Sequence, residues 1–116
     1  MFDDVFERLT KAFPEIRYLG IWGRDGLELT RYEAQGGVSP EIELLGAEMG
    51  DMANRLEQSH LDAQSSRLSG RWRGMMVLHT PVNRDYFLLV AADPRLLEGK
   101  FRFVMERIRP ELIQRF

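Results

Sequence analysis

The stretch WGRDGLEL, residues 22–29, decides how the first part of the chain folds. It joins the run IRYLGIW (16–22), rich in β-branched and aromatic residues, to LELTRYE (27–33), where apolar and polar residues alternate. Two such runs joined by a short Asp-Gly turn are typical of a β-hairpin. Asp25 and Gly26 tolerate the positive φ of a tight mirror-image turn, so we expect them to form the turn motif.

The glycines of this stretch do not form a phosphate-binding loop. Such a loop needs Gly-x-x-x-x-Gly-Lys-Ser/Thr leading into a helix, whose amide groups then converge on the phosphate. Here the lysine is missing and the residues that follow alternate with a period of two, as in a strand. The sequence therefore predicts a bend between two strands.

A long helix is predicted from residue 39 to about residue 64. Ser39-Pro40-Glu41 supplies a hydroxyl cap, a proline at the first helical position and an acid behind it. The apolar residues that follow recur at helical spacing and are expected to pack on a sheet. They are Ile42, Leu45, Met49, Met52, Leu56 and Ala63.

Small residues flank this apolar stripe. Each of Gly46 and Gly50 costs the helix about 1 kcal/mol relative to alanine. We therefore expect another surface to pack closely against the helix at these glycines and at Ala53. The neighbour is either the protein's own sheet or the same helix of a second copy. We predict the second, with a dimer interface that continues through Glu57 and Leu61.

The opposite face of the helix is predicted to be a partner surface. Leu44 stands there among charged residues, as the large apolar group that gains by being covered. An excess of acid would attract a basic partner, although an ordinary solvated face has the same pattern. The residues of this face are Leu44, Glu48, Asp51, Arg55 and Asp62.

The rest of the chain predicts two shorter helices and two clear strands. Residues 2–12 form an amphipathic helix ended by Pro14, and Asp93-Pro94 opens a last helix with Leu97 on its inner face, kinked or ended by Pro110. MMVLHT (75–80) and DYFLLVAAD (85–93) read as strands, the second central in the sheet because it is almost continuously apolar. The polar stretch SSRLSGRWRG (65–74) is a loop or a short edge strand.

Composition indicates one domain over residues 1–116. The chain has no cysteine, which excludes disulfides and thiolate catalysis, and no apolar run long enough to span a membrane. The acidic start is unlike a signal peptide, so we expect a cytoplasmic protein. Residues 1–65 carry a net charge of −7 and residues 66–116 one of +5. We attribute this asymmetry to complementary surfaces of the fold or a dimer rather than to nucleic-acid binding.

No convergent set of catalytic or metal-binding residues can be assembled. His60 falls on the stripe side of the long helix and His79 lies within a strand, with no cysteine or regular carboxylate spacing beside them. The sequence therefore predicts neither an enzyme nor a bound cofactor or metal.

The order helix, hairpin, long helix, strands, helix resembles the roadblock/dynein light chain family. The resemblance rests on GRDGLEL after the first strand, the long central helix, YFLLVAADP (86–94) and LLEGKFRFVMERI (96–108), and it covers nearly the whole chain. It implies an α/β fold: a five-stranded antiparallel sheet with the long helix on one face and the terminal helices on the other. The third strand, SSRLSGRW (65–72), is expected to be short or lost.

The resemblance also implies a function. It indicates a non-enzymatic homodimer, paired through an edge strand and the long helix, that regulates or scaffolds a Ras-like small GTPase as bacterial MglB-like proteins do. A small-molecule-sensing domain of similar shape is the alternative, and it predicts a closed apolar pocket.

Overall fold

The computed structural model describes residues 2–37, 40–58 and 68–116. The predictions for Ser39, His60, Leu61, Asp62 and Ala63 lie outside the described residues, as does the side chain of Glu57.

The described chain has three helices and five strands in the expected order. They are α1 (Asp3–Ala12), β1 (Ile16–Gly23), β2 (Glu28–Glu33), α2 (Ile42–Gln58), β3 (Leu68–Trp72), β4 (Met75–Pro81), β5 (Tyr86–Ala92) and α3 (Glu98–Ile113). The strands form one antiparallel sheet in the order β2-β1-β5-β4-β3. The α/β fold expected from the sequence is confirmed, and the polar third strand is present as a five-residue edge strand.

The sheet separates two apolar cores, because side chains alternate along each strand. In β1, Leu19 and Ile21 belong to the core shared with α1 and α3, whereas Tyr18 and Trp22 belong to the core that lies under α2. β5 is central, and its residues from Phe87 to Ala92 are buried, as its continuous apolar run predicts.

The β1–β2 turn is a hairpin turn, but not the predicted mirror-image one. The amide of Gly23 donates to the carbonyl of Leu27 at 2.8 Å, and the amide of Gly26 donates to the carbonyl of Gly23 at 3.0 Å. Gly26 has a φ of 90°, while Asp25 keeps a negative φ and accepts a hydrogen bond from the Leu27 amide at 3.0 Å. The loop therefore has three residues, with the left-handed position at its end.

Two predictions about the helices are wrong, and a third is wrong in part. Met52 is 45% exposed, because the buried face of α2 is centred on Ile42 and Ala53, about 100° around the helix from Met52. Leu97 is exposed, because α3 begins one residue later, at Glu98. Pro110 does not end α3, which continues to Ile113 and packs Leu112 into the core beyond the proline.

Candidate functional site

A buried aromatic pair fixes the first half of α2 on the sheet. A Cβ atom on Gly46 would lie 2.4 Å from the Trp22 ring, so the indole touches the helix backbone directly. The Trp22 Nε1–H donates to the Tyr18 hydroxyl at 2.8 Å. Gly20, between these two residues on the same face of β1, leaves the space in which their side chains meet. Tyr18, Gly20 and Trp22, at alternate positions of β1, therefore form the surface on which the first half of α2 packs.

A chain of polar contacts continues from this pair to the sheet edge. The Tyr18 hydroxyl donates to Glu28 at 2.5 Å, and Glu28 pairs with Arg31 at 2.7 Å. Arg31 also pairs with Glu33 and reaches Glu43 of α2 at 3.3 Å. Burial raises the pKa of the Tyr18 phenol, so the hydroxyl remains a donor. The contacts tie β2 to the start of α2.

The glycine flank of α2 faces the chain's own sheet. A Cβ atom on Gly50 would lie 3.1 Å from the carbonyl oxygen of Arg24, and Asn54 Nδ2 donates to the same oxygen at 3.3 Å. Ala53 and Gly46 are buried as well. Gly46, Gly50 and Ala53, the residues predicted for a dimer interface, thus pack on the sheet of their own chain. Close packing on the sheet was the other explanation, and it accounts for the small residues.

The outer face of α2 is where the predicted partner surface lies. Leu44 is 63% exposed, and Glu48, Asp51 and Arg55 are exposed along the same face. Asp51 and Arg55 pair across one helical turn at 2.8 Å. For these four residues, the placement in solvent agrees with the sequence prediction.

A groove between α2 and the edge strand β3 adjoins this face. Its volume is about 220 Å³, and it is lined by Glu41, Leu44, Leu45, Glu48 and Trp72. The exposed Met52 follows on the same side of the helix, one turn beyond Glu48.

Trp72 itself is held in place by its neighbour along the chain. The guanidinium of Arg73 lies 5.6 Å from the Trp72 ring centroid and pairs at 2.5 Å with Glu41, the residue before α2. Sequence reasoning did not assign Trp72 or Met52 to a site, although a tryptophan within a polar stretch was a usable sign of a contact surface.

β3 presents one open edge. Arg73 (φ 50°) and Gly74 (φ 79°) form a two-residue mirror-image turn to β4, so Trp72 and Met75 are the hydrogen-bonded pair that closes it. Pairing alternates along an antiparallel ladder, so the backbone groups of Arg71 and Ser69 point away from β4. These groups are available to another strand.

The described residues supply little for metal or acid–base chemistry. In the ranges 2–37, 40–58 and 68–116, no three histidine, cysteine, aspartate or glutamate side chains cluster as metal ligands. His79 is buried against Phe87, ring centroids 4.6 Å apart, and neither ring nitrogen has a hydrogen-bond partner among the described residues. Burial lowers the pKa of His79 to about 4.

One pocket bears on the small-molecule alternative. It has a volume of about 360 Å³, and Arg17, Arg73 and Asp93 contribute to its lining. The pocket is open and half of its lining is polar, unlike the closed apolar cavity that a sensing domain predicts. Within the described residues, no helix is long and apolar enough to cross a membrane.

The arrangement of helices and sheet is that of a roadblock-like fold. The structure is similar to MglC from Myxococcus xanthus, with a TM-score of 0.73 and 18% identity over 99% of this chain and 98% of that chain. It is equally similar to the gliding protein MglB from Thermus thermophilus, at 0.73 and 18% over 97% and 88%. A Roadblock/LC7 domain from Streptomyces avermitilis matches at 0.66 and 13% over 92% and 93%. No protein-family model matches the sequence, and no curated protein matches it significantly.

Proposed function

We propose that the chain is a non-enzymatic, homodimeric regulator that binds a Ras-like small GTPase in the cytoplasm through the outer face of α2. The observation that carries this proposal is the exposed Leu44 on a helix that packs closely on the sheet at Gly46 and Gly50. A large apolar side chain on a fixed scaffold offers a contact that loses little conformational entropy when a partner covers it.

The charge around Leu44 supports a basic partner. Glu48, Asp51 and the nearby Glu41 are exposed acids; Asp51 pairs with Arg55 and Glu41 with Arg73, so these five residues carry one net negative charge. Complementary charge accelerates association and selects the orientation of the partner, more than it adds affinity. We therefore expect binding to weaken as the salt concentration rises.

The proposed dimer uses the edge of β3 and the part of α2 around Met52, which leaves Leu44 and Glu48 to the GTPase. Pairing of two β3 edges through Ser69 and Arg71 would join the two sheets. It would also bring together the Trp72 and Met52 side chains that one chain leaves partly uncovered. A stable interface of this kind buries roughly 1,200 Å² or more. The dimer would place two α2 helices on one side of a joined sheet.

The GTPase part of the proposal is tested by capture and variant analysis. The purified chain is used to capture small GTPases of its source organism, loaded with GDP or with a GTP analogue. We expect Leu44→Asp combined with Asp51→Lys to abolish capture. Phe103→Asp with Glu106→Lys makes the same kinds of change on exposed positions of α3 and should leave capture intact. Capture that survives the α2 variant contradicts the proposed surface.

The dimer part is tested by sedimentation. Proline at position 71 removes an amide that points away from β4, so Arg71→Pro should separate the dimer and leave the fold intact. Arg71→Gln removes the same charge and keeps the amide, so it should remain dimeric. A wild-type chain that sediments as a monomer at micromolar concentration contradicts the dimer.

A further inference from the structure

The second edge of the sheet, β2, is open as well. The amide of Ala34 donates to the carbonyl of Arg17 at 2.8 Å, so these two residues are a hydrogen-bonded pair of the β1–β2 ladder. Because pairing alternates, the backbone N–H and C=O groups of Glu33 and Arg31 point away from β1. Among the described strands, β1 is the only neighbour of β2.

The β2 edge is charged. Natural edges are commonly blunted by charged side chains, lysine above all, or by proline; β2, with the sequence ELTRYE, has no lysine or proline but carries Glu28, Arg31 and Glu33. The residues around its start are apolar and exposed, Leu27 to 67% and Leu29 to 52%. An edge of this kind is suited to accepting a strand of complementary charge.

A groove runs along this edge, between α1 and β2. Its volume is about 210 Å³, and it is lined by Asp3, Phe6, Glu7, Thr10, Arg31 and Tyr32. Asp3 and Glu7 lie one helical turn apart on α1 and are both exposed, and Glu7 pairs with Lys11 at 2.8 Å. These three residues leave one net negative charge on the wall that faces the edge from α1.

The opposite side of β2 also carries an excess of acid. A single guanidinium, that of Arg31, is shared among Glu28, Glu33 and Glu43. Three carboxylates around one cation leave two negative charges without a basic counterpart in this cluster. An added strand would thus find carboxylates above and below it.

We propose that the α1–β2 groove takes an extended, basic segment of a partner protein, which pairs with the β2 edge as a sixth strand. Backbone hydrogen bonds to Arg31 and Glu33 would supply the affinity. Basic side chains would point alternately toward Asp3 and Glu7 on one face and toward the Glu28, Glu33 and Glu43 cluster on the other. The site lies at the opposite edge of the sheet from β3, so it stays free in the proposed dimer.

The probe is a ten-residue peptide in which Arg-Arg and Thr-Thr pairs alternate, so that arginines point to both faces of the added strand, titrated into the ¹⁵N-labelled full chain. We expect shifts confined to α1 and β2, and slower hydrogen exchange at the amides of Arg31 and Glu33. A peptide in which Glu-Glu and Thr-Thr pairs alternate should not bind. Shifts located elsewhere, or unchanged exchange at both amides, overturn the proposal.

Two pairs of variants separate the site from general attraction of a basic peptide. Asp3→Lys with Glu7→Lys should weaken binding at least tenfold, whereas Glu48→Lys with Asp51→Lys, the same charge change on α2, should change it less than twofold. Equal weakening by both pairs means a non-specific effect and overturns the proposal.

The strand pairing itself is tested at position 33. Glu33→Pro removes an outward amide and should weaken binding at least tenfold beyond Glu33→Gln, which loses only the charge. Circular dichroism reports whether each variant is folded. If the glutamine and proline variants bind equally, the peptide does not pair with β2.

Discussion

Substitution of Gly46 by alanine tests whether α2 packs on the sheet through Trp22. The new methyl group would meet three ring atoms of Trp22 at 2.4, 2.5 and 2.6 Å, whereas carbon atoms in contact prefer about 3.5–4.0 Å. The indole would have to move by about 1 Å, but it is 2% exposed and bonded to the Tyr18 hydroxyl. Overpacking of this kind costs about 1–3 kcal/mol.

The helix itself favours the substitution, which makes the sign of the result informative. Alanine gains about 1 kcal/mol of helix propensity over glycine. With the overpacking cost and a weakened Trp22–Tyr18 hydrogen bond, worth about 1 kcal/mol, the net loss of unfolding free energy is about 2 kcal/mol. In a domain of this size that corresponds to a melting temperature lower by about 8 °C.

The measurement is urea unfolding followed by circular dichroism, with Gly99→Ala as the matched control. Gly99 lies in the first turn of α3 with open space around it, so alanine there should stabilise the chain by up to about 1 kcal/mol. In a Trp22→Leu background, Gly46→Ala should no longer destabilise. If Gly46→Ala stabilises the wild-type chain as Gly99→Ala does, α2 does not rest on Trp22.

Three further predictions concern the interior. Tyr18→Phe leaves the buried Trp22 Nε1–H without its acceptor and should cost about 1–3 kcal/mol, measured by urea unfolding, whereas Tyr32→Phe, at a half-buried ring, should cost less than half of that. Gly50→Leu should destabilise the chain by about 3 kcal/mol because of the Arg24 carbonyl, whereas the exposed Glu48→Leu should not; equal melting temperatures would contradict this packing. The pKa of His79 is lowered to about 4 in the folded chain, below its unfolded value of 6.5, so its neutral form contributes stability above pH 6.5 that is lost between pH 6.5 and 4. Between pH 7 and pH 5 the loss is about 2 kcal/mol, and it should be absent from His79→Leu.

The order of elements could be predicted because each has a local cause. The continuous apolar run from Phe87 to Ala92 requires a central strand, and the Asp25-Gly26 turn requires a bend, even though its loop length differs from the prediction. Because both faces of β5 are apolar, helices must cover both faces of the sheet. These are properties of residues near one another in sequence.

The orientation of α2 could not be predicted in the same way. Hydrophobicity favours a face with Met52 at its margin, whereas contact with Trp22 and Arg24, distant in sequence, turns Gly46 and Gly50 toward the sheet. A glycine marks a close approach without saying which surface comes close, so the flank was assigned to a dimer. The groove at Trp72 was missed for the same reason, since it forms between a helix and a strand that are far apart in the chain.

The affinity of the chain for a GTP-bound small GTPase, compared across two variants, tests the central claim most directly. Calorimetric titration should give a measurable dissociation constant for the wild-type chain. The constant should rise at least tenfold for Leu44→Asp with Asp51→Lys and stay within twofold for Phe103→Asp with Glu106→Lys. Binding that is lost equally in both variants, or retained equally in both, would contradict a partner surface on the outer face of α2.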